Sequence, residues 1–262
     1  MKRKIFTLIA LVLSSQAYGS FSTWATPWTK SFLEMRLDAE IERSHISLRK
    51  DSDEYSRNKN IGTIIASGAP LPNWEVSALL SGSNTKTRKI AGRIEHQILS
   101  DLKISPVSLT TLLELCVATN KRASEPAFFE MAKKYAQVGL GLGRHLGIAH
   151  FSYTQLFSYL MGGMSTSFSR WASLEIGLAH TYAEKHSFRA SVTHLRSYST
   201  KSGPFRGFGG EGGNINSASL GYFYTTSGGL KWKLSYIYRH FQKGVARSNQ
   251  TARLSLSFPI TF

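Results

Sequence analysis

Residues 250–262 read Gln250-Thr251-Ala252-Arg253-Leu254-Ser255-Leu256-Ser257-Phe258-Pro259-Ile260-Thr261-Phe262, and they decide the fold. Even positions are apolar from Ala252 to Phe262, whereas odd positions are polar or proline. Successive side chains of a β-strand point to opposite faces, so the segment predicts a strand with one apolar and one polar face. Such a strand belongs either to the edge of a soluble sandwich or to the wall of a membrane barrel.

The amino-terminal residues predict an export signal. Met1-Lys2-Arg3-Lys4 is a charged start, residues 5–13 form a short apolar core, and Ala17-Tyr18-Gly19 fits a small-x-small cleavage pattern. The apolar core is too short to span a bilayer as a helix, and no other stretch approaches the roughly 18 apolar residues that such a helix needs. We expect residues 1–19 to be cleaved and residues 20–262 to form a single domain.

The composition suits a barrel better than a helical membrane protein. The chain is 42% hydrophobic, yet its mean hydropathy is only −0.17, as expected where lipid-facing and interior-facing residues alternate. Aromatic residues are plentiful, with 15 Phe, 11 Tyr and 5 Trp, and barrels place such residues at the membrane interfaces. A single cysteine, Cys116, excludes an intrachain disulfide and a cysteine-based zinc site.

Alternating segments recur along the whole chain. In residues 33–42, odd positions are apolar and even positions are all charged, which a strand places on two separate faces. The same search predicts twelve strands, with the weakest alternation at 59–69 and 150–162. Their approximate bounds are 33–42, 59–69, 73–82, 89–99, 107–119, 134–145, 150–162, 170–182, 187–198, 216–226, 230–241 and 250–262.

The predicted connections alternate in length. Odd-numbered ones, such as 46–58, 120–133 and 199–215, are mostly long, and even-numbered ones, such as 70–72 and 146–149, are short. Bacterial outer-membrane barrels have an even number of strands, short periplasmic turns and longer external loops. We therefore expect an all-β fold, a transmembrane antiparallel up-and-down β-barrel of about twelve strands, in which closure satisfies every backbone hydrogen bond inside the lipid.

With its predicted export signal, its alternating segments and its terminal strand, the chain resembles Gram-negative outer-membrane β-barrel proteins as a class. In that class a final amphipathic strand ending in Phe acts as the signal for the outer-membrane assembly machinery. The resemblance implies an integral outer-membrane location with both termini in the periplasm. It assigns the assembly signal to the apolar positions of the terminal strand: Leu254, Leu256, Phe258, Ile260 and Phe262.

The polar faces of the strands carry candidate lumen residues. A charged side chain facing lipid at mid-depth costs roughly 2–4 kcal/mol, so charged residues on the polar faces are expected to point inward. Seven are basic and seven are acidic. They are Arg36, Arg93, Arg189, Lys231, Lys233, Arg239 and Arg253, and Glu34, Asp38, Glu40, Glu42, Glu95, Glu114 and Glu175.

Two interpretations of these charges remain open. In one, opposed charges line a narrow aqueous pore that passes small hydrophilic solutes. In the other, the charges pair across a lumen that is too tight to conduct, and the barrel acts structurally or through external loops such as 199–215. Small twelve-stranded porins for acidic oligosaccharides have basic lumens, and the even balance of charges here departs from that pattern.

The excess positive charge is expected at the rims. Loss of Lys2, Arg3 and Lys4 with the leader lowers the net charge only from +16 to +13, which favours anionic partners. For an exported chain these are outer-membrane lipids and the phosphates of lipopolysaccharide, not nucleic acid. The candidate rim residues are Lys86, Arg88, Lys89, Lys121, Arg122, Lys133, Lys134, Lys243 and Arg247.

A catalytic interpretation has weaker support in the sequence. Outer-membrane phospholipase A has a lipid-facing Ser, His and Asn, with the signature His-x-Ser followed by Asn-Gly. The pairs His45/Ser47 and His150/Ser152 match the first part, but neither is followed by Asn-Gly. The eight histidines lack metal-ligand spacing, so we predict no catalytic residues, no metal and no cofactor.

Overall fold

Twelve antiparallel strands close into a barrel in the computed structural model of the chain. Each strand pairs with its neighbours in sequence, and β1 pairs with β12 to complete the wall. The structure describes residues 30, 33–48, 58–83, 88–101, 105–119, 134–149, 152–165, 169–183, 185–199, 214–242 and 246–260. The strands are β1 Met35–Leu48, β2 Asn58–Leu71, β3 Trp74–Ser83, β4 Arg88–Leu99, β5 Ser108–Thr119, β6 Lys134–Ala149, β7 Ser152–Ser165, β8 Ser169–Tyr182, β9 His186–Ser199, β10 Asn214–Thr225, β11 Lys231–Phe241 and β12 Ala246–Ile260.

The predicted fold class, the strand number and the up-and-down order are confirmed. Three predicted boundaries are wrong by four residues or more, and one of them is the start of β12, which lies at Ala246 and not at residue 250. β1 continues to Leu48 instead of ending at residue 42, because inward-facing Ser44 and Ile46 keep the strand paired although the outward positions turn polar. β6 continues to Ala149, so the predicted connection 146–149 belongs to the strand. Within the described ranges, no helix is long and apolar enough to cross a membrane.

The two ends of the barrel differ in their connections. The terminal end, as we call it, holds the start of β1, the end of β12 and short turns such as Pro72–Asn73 and 226–230. Asn73 and Gly229 have φ angles of 65° and 77° there, which Asn and Gly adopt most readily. The opposite end, which we call the loop end, holds the other six connections.

Side chains sort by strand position into an interior and an outer surface. Along β4, for example, Lys89, Arg93 and Glu95 are buried while Ile90 and Ile94 on the opposite face are exposed. The other strands repeat this alternation, and their exposed positions are mainly Leu, Ile, Val, Met and aromatic residues. The barrel is therefore apolar outside and polar inside, the reverse of a soluble protein and the arrangement of a lipid-embedded barrel.

Interior aromatic rings lie across glycines of the adjacent strand. Tyr159 is paired with Gly141, and a methyl group on Gly141 would lie 2.6 Å from Tyr159 Cε1. Phe157 covers Gly177, and Trp171 covers Gly163, in the same way. The glycines thus let large rings lie against the barrel wall, and the rings cover glycine backbone that has no side chain of its own.

These aromatic–glycine pairs make a stability prediction. In Gly141→Ala the new methyl group forces Tyr159 off the wall, and we expect the free energy of unfolding to fall by about 1–3 kcal/mol. Urea titration of the refolded barrel in detergent micelles measures this change. Gly92→Ala is the matched control, because nothing lies within 4 Å of its added methyl group, and it should change stability by less than about 0.5 kcal/mol. Equal stabilities of the two variants would contradict the packing role of the pair.

Candidate functional site

In the part of the chain that the structure describes, the carboxylates lie on inward faces or, in the case of Asp101, in a turn. None of the nine described Asp and Glu residues occupies an outward strand position. Of the fourteen charged residues predicted to line the lumen, eight are buried: Glu40, Glu42, Arg93, Glu95, Glu114, Glu175, Arg189 and Arg253. The other six are half-buried on the same inward faces: Glu34, Arg36, Asp38, Lys231, Lys233 and Arg239. Their role as lining of an aqueous lumen stays a prediction.

Arg253 is the centre of one ion-pair cluster. Its Nε lies 2.9 Å from Glu40 Oε1, and its Nη2 lies 2.5 Å from Glu42 Oε2. Ser44 donates a hydrogen bond to Glu42 Oε1 at 3.1 Å, and its hydroxyl lies 2.8 Å from that of Thr251. Because these contacts join β1 to β12, the cluster crosses the seam where the two ends of the sheet meet.

A second group of charged residues lies in the interior of the barrel, on the inward faces of β4, β8 and β9. Arg93 pairs with Glu95 at 2.7 Å, and Arg189 pairs with Glu175 at 3.3 Å. The Arg189 guanidinium also lies 4.1 Å from the centre of the Phe157 ring. Arg93 and Arg189 come from β4 and β9, so this group draws buried charges from strands that are not neighbours in the sheet.

A third group of charges lies at the terminal end. Lys233 pairs with Asp38 at 2.6 Å, again linking β11 to β1 across the face of β12. Arg36 contacts Glu34 at 2.6 Å and donates to the carbonyl of Gly229 at 3.3 Å. Lys30 forms an ion pair with Glu75 on β3. This end of the interior is thus lined by charges that are paired but partly accessible.

Exposure within the interior is uneven around the barrel. Inward positions of β2 to β8 are mostly buried, whereas those of β10 from Ser217 to Thr225 are all half-buried. We call the inward face of β9–β12 the serine-lined wall, because small hydroxyl side chains dominate it: Ser191, Ser217, Ser219, Ser235, Ser255 and Ser257. An inward residue within a strand gains exposure from space inside the barrel, so the β10 part of this wall borders the open part of the cross-section, whereas its serines on β9, β11 and β12 are buried.

Some hydroxyls of the serine-lined wall have no protein partner. Ser191 and Ser219 contact each other at 2.6 Å, but the buried hydroxyls of Ser235, Ser255 and Ser257 find no hydrogen-bond partner among the described residues. A buried hydroxyl without a partner costs free energy, and polar sites of this kind normally hold water. The hydroxyls of this wall that are accessible to water are those of half-buried Ser217 and Ser219 on β10.

The sequence missed several interior groups. Lys89, predicted among the rim cations, is buried on the inward face of β4, so that prediction is wrong: Lys89 lies an even number of residues from inward Arg93 and Glu95 and therefore shares their face. Tyr159 was missed because β7 carries large apolar side chains on both faces, which hides the alternation. Asp101 and His145, 3.0 Å apart near the terminal end, gave no signal because they lie 44 residues apart in sequence.

Histidine side chains make polar contacts on the outer surface toward the loop end. His45 lies outward on β1, and its Nδ1 is 2.9 Å from Oδ1 of Asn58, its partner on β2. Ser47 follows on the same face of β1. Of the other predicted pair, His150 lies outside the described residues and Ser152 is half-buried.

The terminal strand presents its apolar side outward. Leu254 and Phe258 are exposed, and Leu256 and Ile260 share their face, opposite buried Arg253. Phe262 lies outside the described residues, as does the predicted signal peptide 1–19. No group of three or more possible metal ligands occurs among the described side chains.

Known structures share this fold. No protein-family model and no curated protein matches the chain. An outer-membrane channel of Pseudomonas putida F1 superposes with a TM-score of 0.61 at 8% identity, covering 89% of this chain and 97% of that one. The NanC porin gives 0.55 at 9% identity over 85% and 100% of the two chains. The autotransporter NalP translocator domain of Neisseria meningitidis gives 0.53 at 12% identity over 87% and 89%. The chain therefore has the fold of Gram-negative outer-membrane β-barrels, which confirms the class-level resemblance.

The Arg253 cluster makes the second prediction. Arg253→Met leaves Glu40 and Glu42 buried together without their cation, and we expect the free energy of unfolding to fall by about 3–5 kcal/mol in urea titrations. Adding Glu40→Gln and Glu42→Gln should recover most of that loss. Arg43→Met, on the exposed face of the same strand pair, is the control and should cost less than about 0.5 kcal/mol. A loss for Arg253→Met as small as that of the control would contradict a structural role for the cluster.

Proposed function

We propose that this protein is an integral outer-membrane barrel that passes small hydrophilic solutes along a narrow path at its serine-lined wall. The observation that carries the proposal is the continuous half-burial of the inward face of β10, from Ser217 to Thr225. It runs from near the loop end to the terminal end. Three of its five inward residues, Ser217, Ser219 and Thr225, carry hydroxyl groups, and a partly accessible surface of this kind suits hydrated solutes.

The path is narrow because the rest of the cross-section is occupied. The Arg253 cluster fills the side of β1 and β12, and Arg93, Tyr159 and Arg189 fill the centre and the side of β4 to β8. Twelve strands lie between filled eight-stranded barrels and open porins of sixteen or more. We therefore expect a conductance well below that of a large general porin.

The charges beside the path favour anions. The half-buried candidate lumen residues comprise four cations and two carboxylates, and Lys231, Lys233 and Arg239 follow one another on β11, the strand next to β10. In a narrow hydrated path the sign of the lining charges sets the preferred sign of the ion. The buried ion pairs contribute little, because their charges cancel locally.

The proposed membrane location is based on the apolar outer surface of the barrel and on the predicted export signal. Exposed Leu, Ile, Val and aromatic residues surround the wall, and residues 1–19 have the pattern of an export signal. The terminal end would face the periplasm, where the assembly machinery reads the terminal strand. The loop end would then face outward. Protease cleavage of intact cells at tags inserted after residue 125 or residue 227 tests this orientation.

Single-channel recording tests the transport proposal. Refolded protein in a planar bilayer should give a small conductance, and reversal potentials in a salt gradient should show a preference for anions. Ser217→Trp, which places a bulky ring on the path, should lower the conductance at least about twofold. Lys231→Glu should abolish the anion preference, because it removes the excess of positive charge.

The control for Ser217→Trp is Ser158→Trp. Ser158 lies on the outward face of β7, so the added ring points into lipid and the conductance should stay at the wild-type level. A folded wild-type barrel without conductance would refute the transport proposal. It would support the alternative of a non-conducting barrel that acts through external loops such as 199–215.

Hydrolysis of lipid esters is a second candidate function, favoured by the contact between His45 and Asn58. With Asn58 Oδ1 accepting a hydrogen bond from Nδ1, the Nε2 of His45 is left as the base. Ser47 would attack the ester carbonyl while Nε2 takes its proton and then passes it to the departing alcohol. Water would next cleave the acyl-serine and release the fatty acid, which restores Ser47.

Fatty-acid release from phospholipid in mixed micelles tests this candidate. Ser47→Ala should lower the rate at least about a thousandfold, and Asn58→Ala should lower kcat by freeing the imidazole. His194→Ala is the matched control: His194 makes the same outward contact with an asparagine, 2.7 Å from Asn216, but Arg196 stands where a serine would be needed. Absence of fatty-acid release from wild-type protein would end this candidate.

A further inference from the structure

The turn between β10 and β11, residues 226–230, lies at the terminal end of the proposed path. It follows directly on Thr225, the last inward residue of β10. The backbone N–H of Thr226 donates to the carbonyl of Leu230 at 2.9 Å, and that of Gly229 donates to the carbonyl of Thr226 at 3.0 Å. The tip, Ser227 and Gly228, is exposed, whereas Gly229 is half-buried. The second half of the turn therefore packs against the barrel.

Gly229 is held by groups on the inward faces of β1 and β12. Arg36 Nη1 donates a hydrogen bond to the carbonyl of Gly229 at 3.3 Å. Arg36 is paired in register with Pro259, so its side chain reaches past β12 to the turn. A methyl group on Gly229 would lie 3.2 Å from Cγ of Pro259, and the φ of Gly229 is 77°, which suits glycine. The turn thus bends over the end of β12 toward the interior.

The hydrogen bond that holds the turn is one that an anion can replace. Its length of 3.3 Å is beyond the usual range for N–H···O, whereas Nε of the same guanidinium lies 2.6 Å from Glu34 Oε1. A guanidinium binds an anionic oxygen more strongly than a neutral carbonyl. The side chain of Arg36 is 13% exposed, so the interior solvent can reach it. An anionic solute at Arg36 would compete directly with the carbonyl of Gly229.

The tip of the turn has room to move. A methyl group on Gly228 would meet Thr226 Oγ1 at 3.9 Å and no closer atom. The two consecutive glycines also permit backbone rotations that other residues resist. Displacement of the turn would therefore break little packing, and segments that cover binding sites commonly have this low local stability.

We propose that the turn 226–230 is a flap over the terminal end of the path, and that Arg36 is the residue through which anionic solutes open it. With no anion at Arg36, the guanidinium holds the carbonyl of Gly229 and the flap narrows the path. A solute carboxylate or phosphate takes over this donor, and the population shifts toward the open flap. The role of the solute rests on the proposed transport function, whereas the contact between Arg36 and the turn does not.

Arg36→Gln and Lys231→Gln form a matched pair for single-channel recording. Each removes one half-buried inward cation at the terminal end, but the bond to the turn belongs to Arg36. Arg36→Gln should raise the conductance about twofold, because the flap is released. Lys231→Gln should weaken the anion preference without raising the conductance. A conductance of Arg36→Gln at or below that of Lys231→Gln would show that Arg36 acts by charge alone and would overturn the proposal.

A disulfide between the turn and β12 tests whether movement is responsible. The Cβ of a residue at position 229 would lie 3.8 Å from Cβ of Pro259, which suits a disulfide. Gly229→Cys with Pro259→Cys is made in a Cys116→Ser background, so that no other thiol is present. When Arg36→Gln is added, the conductance should stay low while the disulfide is intact and rise after reduction. An increase that is already complete in the oxidised protein would contradict the flap.

A spin label at the tip of the turn gives a readout that needs neither conduction nor the disulfide. The label is attached to Ser227→Cys with Cys116→Ser, and its mobility is measured by electron paramagnetic resonance in detergent micelles. Folding is checked by the heat-dependent shift of electrophoretic mobility. Arg36→Gln should make the label more mobile, and Lys231→Gln should leave it unchanged. With Arg36 present, succinate should increase the mobility and uncharged succinamide should not.

The spin-label results separate this proposal from the transport proposal. Equal label mobility with and without Arg36→Gln would overturn the flap, and a label that does not respond to succinate would overturn its release by anions. If the label responds as expected but the barrel does not conduct, the transport proposal fails while the contact between Arg36 and the turn retains its role.

Discussion

Closure of the sheet between β1 and β12 is the constraint on which the rest of this structure depends. Inside lipid no water is available to satisfy backbone N–H and C=O groups, so a sheet can exist there only without edges. The two strands pair from Met35 with Ile260 to Leu48 with Ala246, and so remove both edges at once. Interior side chains also stabilise this junction, because Arg253 on β12 forms ion pairs with Glu40 and Glu42 on β1.

Closure also fixes what each residue faces, and this is why so much of the fold could be predicted from sequence. A period of two residues places Glu40 and Glu42 inside and Ile41 outside as soon as the strand is assigned, and lipid penalises the opposite choice. The sequence pattern is weakest where both faces have similar chemistry. β7 has Phe157, Tyr159 and Met161 inside and Leu156 and Leu160 outside, so its period is visible only once its neighbours are known.

The candidate site was less predictable than the wall, because its geometry depends on strands that are distant in sequence. The sequence places Arg189 on an inward face, but it cannot show that its guanidinium lies over the ring of Phe157 on β7. It cannot show that Tyr159 lies flat over Gly141, which decides how much of the cross-section is filled. Nor does it pair His45 with Asn58, because their contact requires the register between β1 and β2.

The division of charge between the two faces connects the interior to the membrane. Carboxylates on the inward faces neutralise the buried arginines, and among the described residues no carboxylate occupies an outward strand position. The same sorting that makes the interior compatible with burial therefore leaves the wall apolar toward the lipid, with aromatic rings such as that of Trp74 near the terminal end.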